Sequence, residues 1–241
     1  GRIMTLEQII EAIGVEPYHR EKAGVIYCAD CMDILPKIPD KSIDLVLTDP
    51  PYGVNLGNID NGQAKDKNQQ PYTLFDDTPE YILNVCVPTI SLCRVISKRI
   101  IITPGNRNMW LYPQPDDCGV WYNPAGTSRG RWGFQLSQPI LYYGKDPRAG
   151  ISSTASSCWG HNDSVAVIRN MGHPCPKPFT FIRWLLNKGS RETSDITLDP
   201  FLGSGTTAVA AKQLGRQFIG IEIERKYCDI AVQRLAQEIL L

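Results

Sequence analysis

The 241-residue sequence predicts an α/β fold, a mostly parallel sheet flanked by helices with a small irregular insertion. Three stretches predict it. Ile43-Asp44-Leu45-Val46-Leu47-Thr48 is rich in apolar residues on both faces and stops at Asp49-Pro50-Pro51-Tyr52, as a buried parallel strand does where its carboxyl end opens into a loop. Ile196-Thr197-Leu198-Asp199 is a second short strand, followed by a glycine-rich turn from Pro200 to Thr207 and an alanine-rich helix ended by Gly215. Phe218-Ile219-Gly220-Ile221-Glu222 is a third, again closed by an acid. Strand, glycine turn, helix, strand and acid form one right-handed nucleotide-binding unit, so the expected sheet is Rossmann-like.

The other elements follow in order. Leu6, Ile9, Ile10 and Ile13 repeat at helical spacing between Thr5 and Gly14. Gly24 to Cys28 reads as a strand ending near Asp30, expected beside the Ile43 strand so that two neighbouring strands both end in acids. Residues 54–77 are polar and too long for slack in a compact domain, which leaves a mobile loop that covers a ligand or a plain surface loop. Thr78-Pro79-Glu80 opens a helix running past Leu92 and Val95 despite Pro88. Arg99 to Gly105 is a strand and turn, and Val120-Trp121-Tyr122 and Gln138 to Tyr143 are two later strands separated by the Gly/Ser/Arg segment from Ala125 to Gly133. The pattern is irregular from Gly150 to Pro178, the place of the expected insertion; helices return at Phe179 to Asn187 and Arg225 to Leu240.

Bulk composition bounds the function. A chain of this length buries one sizeable core, so a single domain over 1–241 is expected. Lys+Arg and Asp+Glu balance at 25 each, so any nucleic-acid binding must come from a local patch. The apolar runs fall short of the ~20 residues of a membrane span, and no basic leader precedes an apolar core; a soluble intracellular protein is expected. The eight cysteines are scattered, as reduced thiols are.

Two motifs carry chemistry. Gly203 and Gly205 let a backbone approach a ligand, the helix start behind them favours an anionic group, and Glu222 lies near the distance at which a strand-end acid reaches ribose hydroxyls. The spacing departs from the six-residue dinucleotide fingerprint, so a nucleoside-type ligand stands against a purely structural turn. In Asp49-Pro50-Pro51-Tyr52 an ionised Asp and the Pro50 carbonyl are acceptors, Pro donates nothing, and Tyr52 offers a ring face. Two acceptors aimed at one point suit an amino group with two hydrogens; the alternative is a strand end capped by a turn.

Together, Asp49-Pro50-Pro51-Tyr52 and Asp199-Pro200-Phe201-Leu202-Gly203-Ser204-Gly205-Thr206 resemble the S-adenosylmethionine-dependent amino-methyltransferases of DNA. The order of the two motifs resembles the permuted β group of that family, and Ala29-Asp30-Cys31, His173-Pro174-Cys175-Pro176-Lys177-Pro178 and Ile219-Gly220-Ile221-Glu222 agree with it. The resemblance implies S-adenosylmethionine as cofactor, with Asp30, Cys31, Asp49, Lys177, Pro178, Asp199, Phe201, Gly203, Ser204, Gly205, Thr206 and Glu222 around it. In that set Asp30 and Cys31 would face adenine, Glu222 the ribose, and Lys177 with Pro178 would close the methionine end. Asp49, Pro50, Pro51 and Tyr52 would be catalytic, holding a flipped base whose exocyclic amine is methylated without a covalent intermediate or a metal. An Asp at the first position is typical of the family's adenine enzymes, so N6-adenine methylation is favoured over the N4-cytosine, RNA and catalytically silent nucleic-acid-binding alternatives. The same resemblance implies double-stranded DNA as partner, with a homodimer and a cognate restriction endonuclease as further partners, no membrane, and a prokaryotic or phage-encoded cytoplasmic protein.

Two departures from the family stand out. Cys175 and Pro176 replace the usual Thr and Gln or Glu before the Lys-Pro pair, and Gln138 replaces a frequent Glu, a change expected to touch the sheet edge rather than the chemistry. Arg129, Arg131, Lys145, Arg148 and Arg169 interleave with Trp132, Tyr142, Tyr143 and Trp159, a mixture suited to phosphates and stacked bases, and 150–172 is the expected small target-recognition insert. Cys28-x-x-Cys31, Cys158-x-x-His161 and His173-x-Cys175 have metal-like spacing, but the place of His173 and Cys175 in the Lys-Pro motif and of Cys31 beside the adenine position argues against zinc.

Overall fold

The structure, a computed structural model, describes residues 4–54, 77–124, 129–130, 132–150, 156–160 and 177–237. The chain begins with α1 (Leu6–Ile13), capped by Thr5: its hydroxyl accepts from the Gln8 amide while the Gln8 side chain accepts from the Thr5 amide. Gly14, at φ 63°, ends it. Next come β1 (His19–Glu21), β2 (Gly24–Cys28), the single turn α2 (Cys31–Ile34) and β3 (Leu45–Thr48). The following helix is one rod in three parts, α3 (Pro79–Tyr81), a π-turn over Ile82–Cys86, and α4 (Val87–Ile96). The wide turn lies directly ahead of Pro88, whose missing N–H and ring an ordinary α-turn does not accommodate; the helix therefore continues through the proline.

After β4 (Ile100–Ile102), β5 (Asp117–Tyr122) and β8 (Ser137–Tyr143) form a hairpin that carries the small ribbon β6 (Arg129–Gly130) and β7 (Gly133–Phe134) at its end. β9 (Cys158–Gly160) pairs with β5, so this part of the insertion extends the main sheet. Then come α5 (Phe179–Gly189), β10 (Ile196–Asp199), α6 (Thr206–Gln213), β11 (Gln217–Glu222) and α7 (Arg225–Ala236).

Among the described residues the main sheet runs β1-β2-β11-β10-β3-β4-β8-β5-β9. Its five central strands, β2, β11, β10, β3 and β4, are all parallel, and β8 turns antiparallel against β4. One expectation is corrected here: β2 and β3 are not neighbours, because β11 and β10 stand between them. The β10-α6-β11 crossover, last in sequence, fills the middle of the sheet.

Both faces are covered, which explains why the strands read as continuous apolar runs. Val46 joins Ile9, Ile34, Ile90 and Ile219 on the α1, α2 and α4 side, while Leu45 and Leu47 join Phe181, Leu185, Ala210 and Phe218 on the α5 and α6 side. Among the described residues, no helix is long and apolar enough to cross a membrane.

Candidate active site

Five parallel strands deliver polar groups to one edge. Asp30 follows β2, Glu222 ends β11, Asp199 ends β10, Asp49 follows β3 and Thr103 follows β4. From β3 the chain connects toward β4 on one side, and from β10 toward β11 on the other, so the crevice between β3 and β10 is the switch point at which open α/β sheets hold ligands.

Asp49 is the hub of this crevice. Its Oδ1 accepts from the Tyr52 hydroxyl at 2.8 Å and from the Thr103 hydroxyl at 2.5 Å. Lys177, two residues ahead of α5, donates its ammonium to Oδ1 at 2.8 Å, to Oδ2 at 2.7 Å and to the Tyr52 hydroxyl oxygen. The Lys177 side chain is 6% exposed and that of Asp49 29%, so the pair sits at the mouth of a mostly dry site. The lysine nitrogen also stands 4.8 Å from the centre of the Tyr52 ring.

Residues that local spacing does not reveal hold Tyr52 in place. Gly105, at φ 72°, brings its backbone against the ring: a β-carbon there would lie 2.8 Å from Tyr52 Cγ. Asn108 Nδ2 donates to the carbonyls of Tyr52 and Gly53 at 2.7 and 3.2 Å. Buried Asp77 accepts from the amides of Gly53 and Val54 at 2.6 and 3.3 Å. Gln138 Oε1 lies 3.4 Å from the Tyr52 hydroxyl, which corrects the expectation for that departure, since it reaches the site itself. Two of these carried a sequence signal, Gly105 as a glycine following Pro104 at a strand end and Gln138 as a departure from the family pattern.

One strand away lies the glycine turn. Asp199 is buried, and its Oδ1 accepts from the Thr48 hydroxyl at 2.6 Å and the Phe201 amide at 3.1 Å. Burial pushes this carboxyl up to about 6 against those donors. Glu222 Oε2 accepts from the Gly203 amide and Oε1 from the Glu224 amide, both at 2.8 Å, and burial raises its carboxyl too. Gly203 and Gly205 have φ of 54° and 82°, and a β-carbon at 205 would lie 2.7 Å from that of Ala231 on α7. Half-buried Phe201 packs against the core.

Three expected ligand contacts have buried side chains. The Cys31 thiol meets the Thr89 hydroxyl at 3.4 Å, and burial holds it at about 11. Arg234 donates to the Ser204 carbonyl, the Ser204 hydroxyl and the Thr206 hydroxyl at 2.6, 3.0 and 3.1 Å. Asp30 is exposed and caps α2 through the Met32 amide at 2.8 Å.

The expected basic and aromatic surface is split. β8 runs antiparallel to β4, so its start lies at the Asp49 edge and its end, followed by Lys145 and Arg148, at the opposite edge. Those two residues therefore do not border the crevice. Tyr142, Tyr143 and Trp159 pack into the core, whereas Trp132 is 103% and Phe134 67% exposed, on the hairpin that leaves the Asp49 edge. Arg131, Arg169, His161, His173, Cys175, most of 150–172 and nearly all of 54–77 lie outside the described residues, as does the side chain of Arg129.

A sequence-family profile described as DNA methylase matches residues 108–233, more than half of the chain. The chain belongs to the DNA methylase family. S-adenosylmethionine is the cofactor of this family of methylases, and DNA is what they methylate. This methylase is 26% identical to the type II methyltransferase M2.LlaDCHI of Lactococcus lactis subsp. cremoris over 91% of this chain and 92% of the relative. It is also 26% identical to M2.DpnII of Streptococcus pneumoniae, over 92% and 93% respectively. Its fold is similar to that of the PvuII DNA methyltransferase, described as cytosine-N4-specific, with a TM-score of 0.69, 17% identity and coverage of 95% of this chain and 92% of that one. A putative DNA modification methylase of Thermus thermophilus in complex with S-adenosyl-L-methionine is similar in fold at a TM-score of 0.59, with 20% identity over 89% and 95%.

Proposed function

We propose that this methylase methylates the exocyclic N6 amine of an adenine turned out of double-stranded DNA, using the Asp49 crevice. The observation that carries this reading is the Lys177 ammonium seated on both oxygens of Asp49. An N–H donor already occupies the carboxylate at the point where a substrate amine would be held.

Asp49 and the Pro50 carbonyl accept the amine hydrogens, drawing the nitrogen lone pair out of conjugation with the ring. Thr103 and Tyr52 fix the carboxylate and Gln138 meets the Tyr52 hydroxyl, while Gly105, Asn108 and Asp77 fix the loop, so the acceptor is placed before any base arrives. The residues present also fit the cofactor. Glu222 is tied to the glycine turn yet keeps lone pairs for ribose hydroxyls, and the left-handed glycines keep side chains out of the backbone's approach. When bound there, S-adenosylmethionine supplies an electrophilic methyl group on a sulfonium. Adenine, rather than cytosine, rests on the Asp at the first position of the tetrapeptide.

The bare hairpin tip supports DNA as the partner at this edge. Trp132→Ala is expected to weaken binding to DNA by about 1–3 kcal/mol, as loss of one base-stacking ring does, without changing the affinity for S-adenosylhomocysteine. Fluorescence anisotropy with labelled duplex and calorimetry with the nucleoside measure the two sides.

Gly105→Ala is expected to push Tyr52 aside and lower kcat on the order of 10²-fold, the usual consequence of a displacement near 1 Å. Single-turnover rates beside an unchanged cofactor affinity check this. The type II names of the relatives support a cognate restriction endonuclease as a further partner, and a homodimer, read by sedimentation, completes the set. Sequencing host DNA for methylated positions after expression tests the function: methyladenine within one short motif is expected, and it disappears with Asp49→Ala.

A further inference from the structure

We infer that Lys177 is a positioning residue that locks Asp49 until the cofactor's carboxylate draws it away, so that cofactor binding opens the site to the target amine. The inference deepens the proposed function and rests on its assignment of Asp49 to the base and the glycine turn to the cofactor.

A carboxylate offers about four acceptor positions. On Asp49, Oδ1 already takes donors from Tyr52, Thr103 and Lys177. Oδ2 takes Lys177. The ammonium thus bridges both oxygens and is the sole donor on Oδ2, the closest mimic of a bound amine that the chain itself can provide. A base amine on the other position of Oδ2 would lie donor against donor beside the Lys177 ammonium. The cation also weakens the acceptor electronically, because it neutralises the charge that would pull on the amine hydrogens.

Lys177 cannot simply leave. Its side chain is 6% exposed, and a buried ammonium without a partner is strongly unfavourable, so it moves only to another anion. The position makes such an exchange short. Lys177 reaches Asp49 on β3, and the adjacent β10 ends at Asp199, tied to β3 through the Thr48 hydroxyl at 2.6 Å, directly ahead of the glycine turn. The α-carboxylate of an S-adenosylmethionine held at that turn would be such an anion, and the flexible four-carbon stem of a lysine allows its head to change partner. Once it does, Oδ2 is free and Asp49 recovers its full charge. By linkage, a bound base must tighten cofactor binding by the same factor.

The test uses the full chain and a duplex containing the methylated site mapped in host DNA, with 2-aminopurine at the target position. For the wild type, S-adenosylhomocysteine is expected to tighten duplex binding by about 5- to 150-fold, the usual range of coupling between two sites, and to raise 2-aminopurine emission. Methylthioadenosine, which lacks the carboxylate, is expected to do neither at saturation. Lys177→Met is expected to show high emission with no nucleoside present, and Lys177→Arg to keep the wild-type dependence. Wild-type coupling that methylthioadenosine reproduces, or that Lys177→Met retains, overturns the inference. Binding of S-adenosylhomocysteine without any coupling overturns it alone, whereas absence of S-adenosylhomocysteine binding overturns the functional reading with it.

Discussion

Asp49→Ala is expected to remove methyl transfer almost completely, by about 10²- to 10³-fold or more in kcat, while the protein still binds S-adenosylhomocysteine at least as tightly as the wild type. The carboxylate is the shared acceptor of Tyr52, Thr103 and Lys177, so its loss removes the group that would hold the amine and leaves the turn from Asp199 to Glu222 intact. It also leaves the buried Lys177 ammonium without its partner, which lowers stability and frees the lysine for the cofactor. Asp49→Asn separates the two effects, because it keeps an acceptor oxygen on the same stem without the charge. Thermal melts beside single-turnover rates and calorimetry read all three quantities. A loss of cofactor affinity equal to that of a glycine-turn variant would contradict the division of roles.

Gly203→Val is expected to give the reverse. A β-branched residue at φ 54° is strained by about 1–3 kcal/mol, and relief of that strain moves the amide that Glu222 accepts from. Cofactor affinity is expected to fall by about 5- to 150-fold, the same energy expressed as a binding constant. Duplex binding without cofactor is expected to remain near the wild-type value, because the Asp49 cluster and the β5-β8 hairpin are built from other elements. Calorimetric titration with S-adenosylhomocysteine and anisotropy with DNA measure the pair.

These two variants divide the site along the line at which the sequence was most legible. Asp49 at the end of β3 and the glycine turn between β10 and α6 each consist of contiguous residues whose local chemistry demands their conformation, so strand, breaker and turn can be read directly. The α1 cap formed by Thr5 and Gln8 is legible for the same reason. The order of the strands is not local. Nothing near Cys28 announces that β11 will lie against it, and the expected pairing of β2 with β3 failed there.

The supports of the site were hidden by distance. Thr103, Asn108 and Asp77 reach Asp49, Tyr52 and Gly53 only after the sheet has brought β4 beside β3, and no spacing rule links them. Lys177 was legible as a site residue but not as the partner of Asp49. The mixed basic and aromatic surface failed for a directional reason. Along β8 the chain runs away from the crevice, so Gln138 lands on Tyr52 while Lys145 and Arg148 are carried to the far edge. Tyr142, Tyr143 and Trp159 share their residue type with Trp132, and only packing distinguishes three core rings from one bare one.

The central claim is that the Asp49 crevice presents an acceptor pair to the amine of an adenine. The most direct measurement is the identity of the nucleoside formed when the purified chain acts on DNA with methyl-labelled S-adenosylmethionine, followed by complete digestion and chromatography. Label in N6-methyldeoxyadenosine, lost in Asp49→Ala, is the expected result. Label in N4-methyldeoxycytidine, or adenine methylation that persists without Asp49, would contradict the account.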